Sequence, residues 1–357
     1  MKHIIEGIPD TVRQQVQTLE VEPDDAGQRL DNFLMRHLKG VPKTHVYRII
    51  RSGEVRINKG RAGADTRVQA GDIIRIPPVR VSERAGEKAL AMEQLSAGHV
   101  PAKSFPVLFE DDSFLAVNKP AGVAVHGGSG VSFGVIEQLR MARPGAKFLE
   151  LVHRLDRETS GVLLVAKKRS VLTNLQNQFR ERETGKIYLA CVAGQWPRSK
   201  KVLNKPLHKY LLDGTGVGAG ERRVKVVAKD DPDGMPSLTL VNVLAATDSA
   251  GGADSGYSLL EVTLKTGRTH QIRVHLASEG LPIAGDDKYG DFEHNKLLAK
   301  GQSGVALKRM FLHAWKFQCT HPATGKRVAL CAPLPLELAG FAANVLPAFD
   351  VSPLQCA

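Results

Sequence analysis

Only four of the 357 residues are cysteine (Cys191, Cys319, Cys331 and Cys356), and no two are spaced as C-x-x-C. This excludes zinc sites built on paired thiolates and suggests no disulfide framework, so reduced thiols are expected. No apolar run approaches the roughly 20 residues of a spanning helix, so no membrane partner is expected. Met1 to Asp10 has neither a long apolar stretch nor a small-residue cleavage site, hence the expectation of no signal peptide and a cytoplasmic location. A Walker-type Gly-Lys-Ser/Thr loop is missing, which argues against a P-loop. No repeat or heptad pattern appears either.

Positive charge is what stands out. There are 49 Lys and Arg against 37 Asp and Glu, a net +12. Between Gly27 and Arg80 the count is 12 against 4, so +8 of it lies in one short segment. Such a concentration on a small module is the footprint of a polyanion binder. Leu30, Phe33, Leu34 and Leu38 recur at helical spacing there, and Val46, Ile49 and Ile50 follow the start signal Pro42-Lys43-Thr44. Strand-like pieces follow at Glu54–Asn58 and Asp72–Pro77. Arg29, Arg36, Lys39, Lys43, Arg48 and Arg51 fall on the polar helix faces. With R-L-D-N-F-L and G-E-V-R-I-N, this helix–helix–strand order resembles an S4 domain, a small RNA-binding unit. Asp31 lies within an amphipathic helix and is not expected to be catalytic.

The expected organisation is an N-terminal arm over 1–26, the S4 module over 27–81 and a charged, Ala-rich linker over 82–104. A large domain over 105–345 and a tail over 346–357 complete it. In the large domain, Val107–Phe109 and Phe114–Asn118 read as strands joined by the turn Glu110–Ser113. Residues 170–183 read as a helix, Gly185–Val192 and Tyr257–Leu264 as strands, and Gly267–Leu276 as the opening of another helix. Residues 212–256 are rich in Gly and Asp and read as long loops around one or two strands. Many irregularly spaced strands with few helices point to an α+β fold with a mixed, mainly antiparallel sheet.

The most informative segment is His153-Arg154-Leu155-Asp156-Arg157-Glu158-Thr159-Ser160-Gly161. It places one carboxylate, Asp156, in a short polar loop between Arg154 and Arg157. The loop leads into the apolar run Val162–Ala166, of the kind that forms a buried strand. A carboxylate held at a rigid strand end is well placed to act as a nucleophile. The run H-R-L-D-R-E-T-S-G resembles the active-site motif of the RluA family of pseudouridine synthases, which isomerise uridine in RNA. Lys119-Pro120 through Val125-His126, Lys186-Ile187-Tyr188, Gly267-Arg268-Thr269-His270-Gln271-Ile272-Arg273, Phe311-Leu312-His313-Ala314 and His321-Pro322-Ala323-Thr324-Gly325 match further motifs of that family.

The resemblance implies that Asp156 is catalytic, that Tyr188 packs on the target base and removes the C5 proton, and that Arg273 pairs with Asp156. It implies uridines of 23S ribosomal RNA, free or in a pre-ribosomal large subunit, as substrate. Arg154 is the candidate for filling the space of a flipped-out nucleotide. Arg157, Lys119, His126, Arg268 and His270, with Arg29, Lys43, Arg48 and Arg51 of the S4 module, are the further candidates for contacting RNA. His270 and His275 are five residues apart and do not share a helix face, so no metal is expected; nor is a cofactor. No apolar stripe demands a dimer, and a monomer is expected.

Chemistry supports an isomerase over a glycosidase. An ordinary glycosidase needs a second carboxylate to protonate the leaving group or to activate water. Here the motif supplies one, and Glu158 reads as a loop residue. Attack at C1′ and a glycal-type route both remain open. The rivals are a nucleosidase and a non-catalytic ribosome-assembly factor that binds RNA through the S4 module.

Overall fold

The computed structural model describes residues 12–13, 15–38, 41–80, 105–127, 133–212, 222–247, 256–301 and 304–356. The linker expected over 82–104, most of the N-terminal arm, Lys39 and the Gly-rich stretches 213–221 and 248–255 lie outside them. The chain divides into two compact units at Lys103/Ser104.

In the first unit, helices α1 (Leu30–His37) and α2 (Lys43–Arg51) cover a small sheet. Its strands are β2 (Gln17–Glu20), β3 (Arg56–Ile57), β4 (Gly60–Arg61) and β5 (Ile73–Ile76), in the order β2-β5-β3-β4, while β1 (Val12–Arg13) pairs separately with β6 (Val79–Arg80). The two helical stripes supply Leu30, Phe33, Leu34, Val46, Ile49 and Ile50 to the core. Strand β5 alternates as its period requires, with Ile74 and Ile76 buried and Ile73 and Arg75 exposed. Asp31 is buried and accepts from Arg29 Nε (3.1 Å) and Nη2 (2.8 Å) and from the Tyr47 hydroxyl (3.1 Å), so it serves the module's structure.

The second unit is built on ten strands: β7 (Val107–Glu110), β8 (Phe114–Lys119), β9 (Glu150–Leu151), β10 (Ser160–Ala166), β11 (Gly185–Ala193), β12 (Val202–Asn204), β15 (Leu238–Ala246), β16 (Tyr257–Leu264), β17 (Leu312–Thr320) and β18 (Arg327–Cys331). The main order is β12-β15-β16-β11-β17-β10-β8-β7, with β18 on β17 and β9 on β10. All pairs are antiparallel except β10 with β17. A separate hairpin joins β13 (Leu207–Leu211) to β14 (Arg222–Val226). The helices are α3 (Val135–Ala142), α4 (Arg169–Glu181), α5 (Gln271–Ala277), α6 (Phe292–Ala299) and α7 (Leu336–Val345).

Strand β10 is buried along its whole length, which accounts for its unbroken apolar run. Val162, Leu164 and Ala166 pack with Val171, Leu172 and Leu175 of α4 on one face. On the other, Leu163 and Val165 pack with Val135, Ile136 and Leu139 of α3. The strand is therefore fixed from both sides, and the loop entering it starts from a rigid end.

One expectation is overturned: Cys331 and Cys356 are joined by a disulfide, Cα atoms 5.9 Å apart. The tail returns to the end of β18, where the Leu334 N–H donates to Leu354 O, and brings together cysteines 25 residues apart. Cys191 and Cys319 are free and buried.

Candidate active site

Asp156 sits in a turn closed by the Thr159 N–H donating to its carbonyl (3.1 Å). Two cations, the buried Lys119 and the half-buried Arg309, hold this turn from behind. Lys119 Nζ donates to Arg157 O (3.0 Å) and also to Pro120 O and Val123 O (2.8 Å each). Arg309 Nη2 donates to Glu158 O (3.3 Å) and Ser160 Oγ (2.8 Å). Lys119 was a candidate RNA contact, and the structure corrects this. The side chain is fully buried and every ammonium proton has a carbonyl acceptor. Burial, with Arg309 nearby, pulls its pKa down to about 7; saturation by three carbonyls favours the charged form.

Gly161 follows at φ +112°, opposite Ala314 in the parallel register. A Cβ there would lie 2.2 Å from Ala314 O, so glycine permits the close approach of β10 and β17. Those strands pair at only two positions, Ser160 with His313 and Gly161 with Ala314. A cavity of about 300 Å³ lies beside this junction, lined by Asp156, Tyr188, His270 and Arg273 together with His153, Phe179, Lys186 and Phe317.

The Asp156 carboxylate is half-buried. His270 Nε2 lies 3.8 Å from one oxygen and Arg273 Nη1 3.8 Å from the other. Arg273 is buried and is gripped elsewhere. Its Nε and Nη2 donate to Asp286 at 2.7 and 2.6 Å, Nη2 also reaches Asp287 at 2.9 Å, and the guanidinium lies 5.2 Å from the Tyr289 ring centre. Burial opposes its charge, but the hydrogen bonds and charge of Asp286, then Asp156 and Asp287, raise its pKa above the ordinary arginine value. The expected pairing with Asp156 is thus the longer contact. Asp286 is fully buried, accepts the Lys288 and Tyr289 N–H groups as well, and was missed in the sequence. Gly285-Asp286-Asp287 carries no period that would have marked it.

Tyr188 is half-buried and its hydroxyl has no hydrogen bond to a described residue. Burial, then the charge of Asp156, raises its pKa above the usual phenol value, so the hydroxyl stays protonated. His270 has a left-handed backbone (φ 52°) at the start of α5, and its Nδ1 pairs with the Tyr289 hydroxyl (2.8 Å). Burial lowers its pKa, against the opposing pull of Asp156.

A second cavity shares Asp156 and is lined by His126, Arg154, Arg157, Glu158, His270, Arg273, Asp287 and Lys288. Arg154 is exposed, with no hydrogen bond or ion pair from its side chain to a described residue. Arg157 Nε donates to Gly122 O (3.1 Å) and leaves most of the side chain in solvent. Arg268 is exposed and its Nε reaches Pro236 O (3.3 Å). In the first unit Arg29 is tied to Asp31, Arg48 contacts His45 (3.2 Å), and Lys43 and Arg51 are exposed. Among the described residues, one group has donor atoms close enough to share a cation: His208, Asp231 and Asp233, none of which lines either cavity.

Residues 113–278 match the family model described as RNA pseudouridylate synthase, and residues 28–74 match the S4 domain. The chain is 48% identical over 327 residues to Ribosomal large subunit pseudouridine synthase C of Pasteurella multocida, covering 92% of this chain and 93% of that one. It is 49% identical over 324 residues to the protein of the same name from Escherichia coli K12, covering 91% and 95%. Among solved structures, Human RNA Pseudouridylate Synthase Domain Containing 1 aligns at a TM-score of 0.51 and 27% identity, over 70% of this chain and 87% of that one. Human RNA Pseudouridylate Synthase Domain Containing 4 shares the fold at a TM-score of 0.52 and 24% identity, over 73% and 97%.

Proposed function

The chain belongs to the RNA pseudouridylate synthase family, and from that premise we propose that it isomerises specific uridines of large-subunit ribosomal RNA, with Asp156 acting at C1′ of a flipped-out nucleotide. The observation that carries the reading is that Asp156, Tyr188 and Arg273, distant in sequence, line one cavity. Breaking the N1–C1′ bond leaves positive charge on the sugar, and a carboxylate beside C1′ stabilises it or attacks it. The released uracil keeps the electron pair, turns and re-bonds through C5. It loses the C5 proton and gains one at N1, so the reaction is an isomerisation. The cavity offers no second carboxylate among its described lining residues, in keeping with a reaction in which water does not attack C1′.

Within this reading Arg273 and His270 set the field at Asp156. The Tyr188 ring stacks on the base, and its hydroxyl, with no hydrogen bond to a described residue, faces the C5 proton. Arg154, exposed beside Asp156, fills the vacated stack or holds a phosphate. Arg157, His126 and Arg268 line or flank the mouth, where phosphates pass.

The test is protein-free large-subunit rRNA carrying uridine tritiated at C5. Wild type is expected to release tritium to water without free uracil or ribose. Asp156→Ala and Asp156→Asn should release none, with RNA affinity within a few-fold. Near-normal turnover in either variant would overturn the role of Asp156. Free uracil would point to the nucleosidase reading. Tight binding with no release from wild type would favour the assembly-factor reading.

A further inference from the structure

Lys186 has an environment that the site described so far does not explain. It lies on β11, two residues before Tyr188, and is only 9% exposed. It lines the same cavity as Asp156 and Tyr188. Its ammonium makes no hydrogen bond and no ion pair with a described residue. The nearest aromatic partner is Phe179, with Nζ 5.5 Å from the ring centre. Burial, then the positive charges of Arg182 and Lys265, lower its pKa. A buried ammonium without an acceptor is costly. Among the described residues no acceptor meets it, while Nζ keeps access to the cavity, so a ligand group entering there becomes its partner.

The surroundings narrow the choice of ligand group. His153, Phe179 and Phe317 stack nearby, with ring centres 5.1 to 6.0 Å apart. Burial drives His153 down to about 4, so this ring is neutral. The immediate neighbours of Lys186 are therefore aromatic, whereas Arg154, Arg268 and Lys316 also line this cavity and Arg157 lines the second. A flat base edge suits the aromatic neighbours. Lys186 and Tyr188 lie two residues apart on β11, across a register shift against β17 between Ile187 and Tyr188, and both line the one cavity.

We propose that Lys186 is a catalytic residue that donates a hydrogen bond from its ammonium to O4 of the target uracil and stabilises the base as it departs as an anion. The proposal rests on the pseudouridine synthase reading above. Heterolysis of N1–C1′ leaves the electron pair on uracil, conjugated through C6=C5 to O4. Lys186 meets that charge without transferring its proton, and the charge is lost again when C5 re-bonds to C1′.

The experiment is single-turnover tritium release by the full chain, wild type, Lys186→Met and Lys186→Arg, together with RNA affinity against salt and thermal unfolding. Lys186→Met is expected to slow release roughly a hundredfold, the scale of losing one charge-stabilising donor. RNA affinity should stay within about threefold with an unchanged salt slope. Its unfolding midpoint should equal or exceed that of wild type, because the uncompensated charge is gone. Lys186→Arg should recover part of the rate. A substrate with 4-thiouridine at the target should slow wild type and leave Lys186→Met no slower than before.

An unimpaired rate in Lys186→Met would overturn the proposal. So would weakened RNA binding with a salt slope smaller by about one, which would make Lys186 a phosphate contact. A lowered midpoint would assign it a structural role instead. Absence of tritium release from wild type would strike the parent reading, whereas release by wild type with an indifferent Lys186→Met strikes only this one.

Discussion

In the proposed reaction the Asp156 carboxylate faces a developing cation, and such a carboxylate cannot be locked to its own counterion. Asp156 keeps Arg273 and His270 at 3.8 Å, because Arg273 is spent on Asp286 in a buried two-pronged pair. Asp286 is in this respect a positioning residue for the guanidinium. Asp286→Asn should leave a buried cation short of its counter-charge, a class of change that costs about 3–5 kcal/mol. A fall in the unfolding midpoint, with single-turnover tritium release slowed and RNA affinity retained, is the expected outcome. An unchanged midpoint would show that Asp287 alone holds the arginine. At this scale the sequence was readable where a motif existed and silent where it did not. Asp156, Tyr188 and Arg273 announced themselves by pattern. Asp286 and Lys186 gain significance only from what surrounds them, and Lys119 was misread because its three carbonyl partners leave no trace in the sequence.

At the scale of elements, the site depends on where β10 begins. Its burial on both faces fixes the strand, and Lys119 and Arg309 hold consecutive carbonyls of the loop before it. Gly161→Ala would combine a left-handed backbone with a clash against Ala314 O. A loss of a few kcal/mol is expected, read by denaturant unfolding. Activity should fall by more than the unfolded fraction, since β10 must shift away from β17. Lys119→Met should reduce turnover while RNA affinity survives, because the ammonium orders the loop and does not touch RNA; a selective loss of affinity would contradict that. The strands Phe114–Asn118 and Tyr257–Leu264 were legible from their period and turns. Helices α6 and α7 and the hairpin β13–β14 were not, because short elements with mixed faces carry little periodic signal, whereas α3 was missed although Val135, Ile136 and Leu139 recur at helical spacing.

The whole molecule combines an S4 module with a synthase unit, each with its own core. Neutralising Lys43, Arg48 and Arg51 together in the intact chain should weaken RNA binding and reduce its salt slope by about two to three. The single-turnover rate at saturating RNA should be unchanged. An unaltered slope would remove these residues from the RNA contact. Acid should also weaken the fold in a defined window. His313 is buried and His153 half-buried among aromatic rings, and desolvation lowers the pKa of both to about 4, against an ordinary 6.5. The unfolded chain binds protons at these rings first, so stability declines as pH falls from about 6.5 towards 4. Thermal unfolding between pH 7 and 4.5 should show that decline, and His153→Gln should flatten it; equal slopes would show that His153 is charged in the native state.

From sequence alone came the α+β class, the S4 module and the family, because these follow from short-range patterns and contiguous motifs. Tertiary structure alone decided the grip of Asp286 on Arg273, the burial of Lys119, the Lys186 ammonium without an acceptor among the described residues and the bond between Cys331 and Cys356. Each of these depends on groups that are far apart in the chain or on the loss of water around a charge. Neither is encoded in the identity or spacing of neighbouring residues; both appear only when the sheet closes.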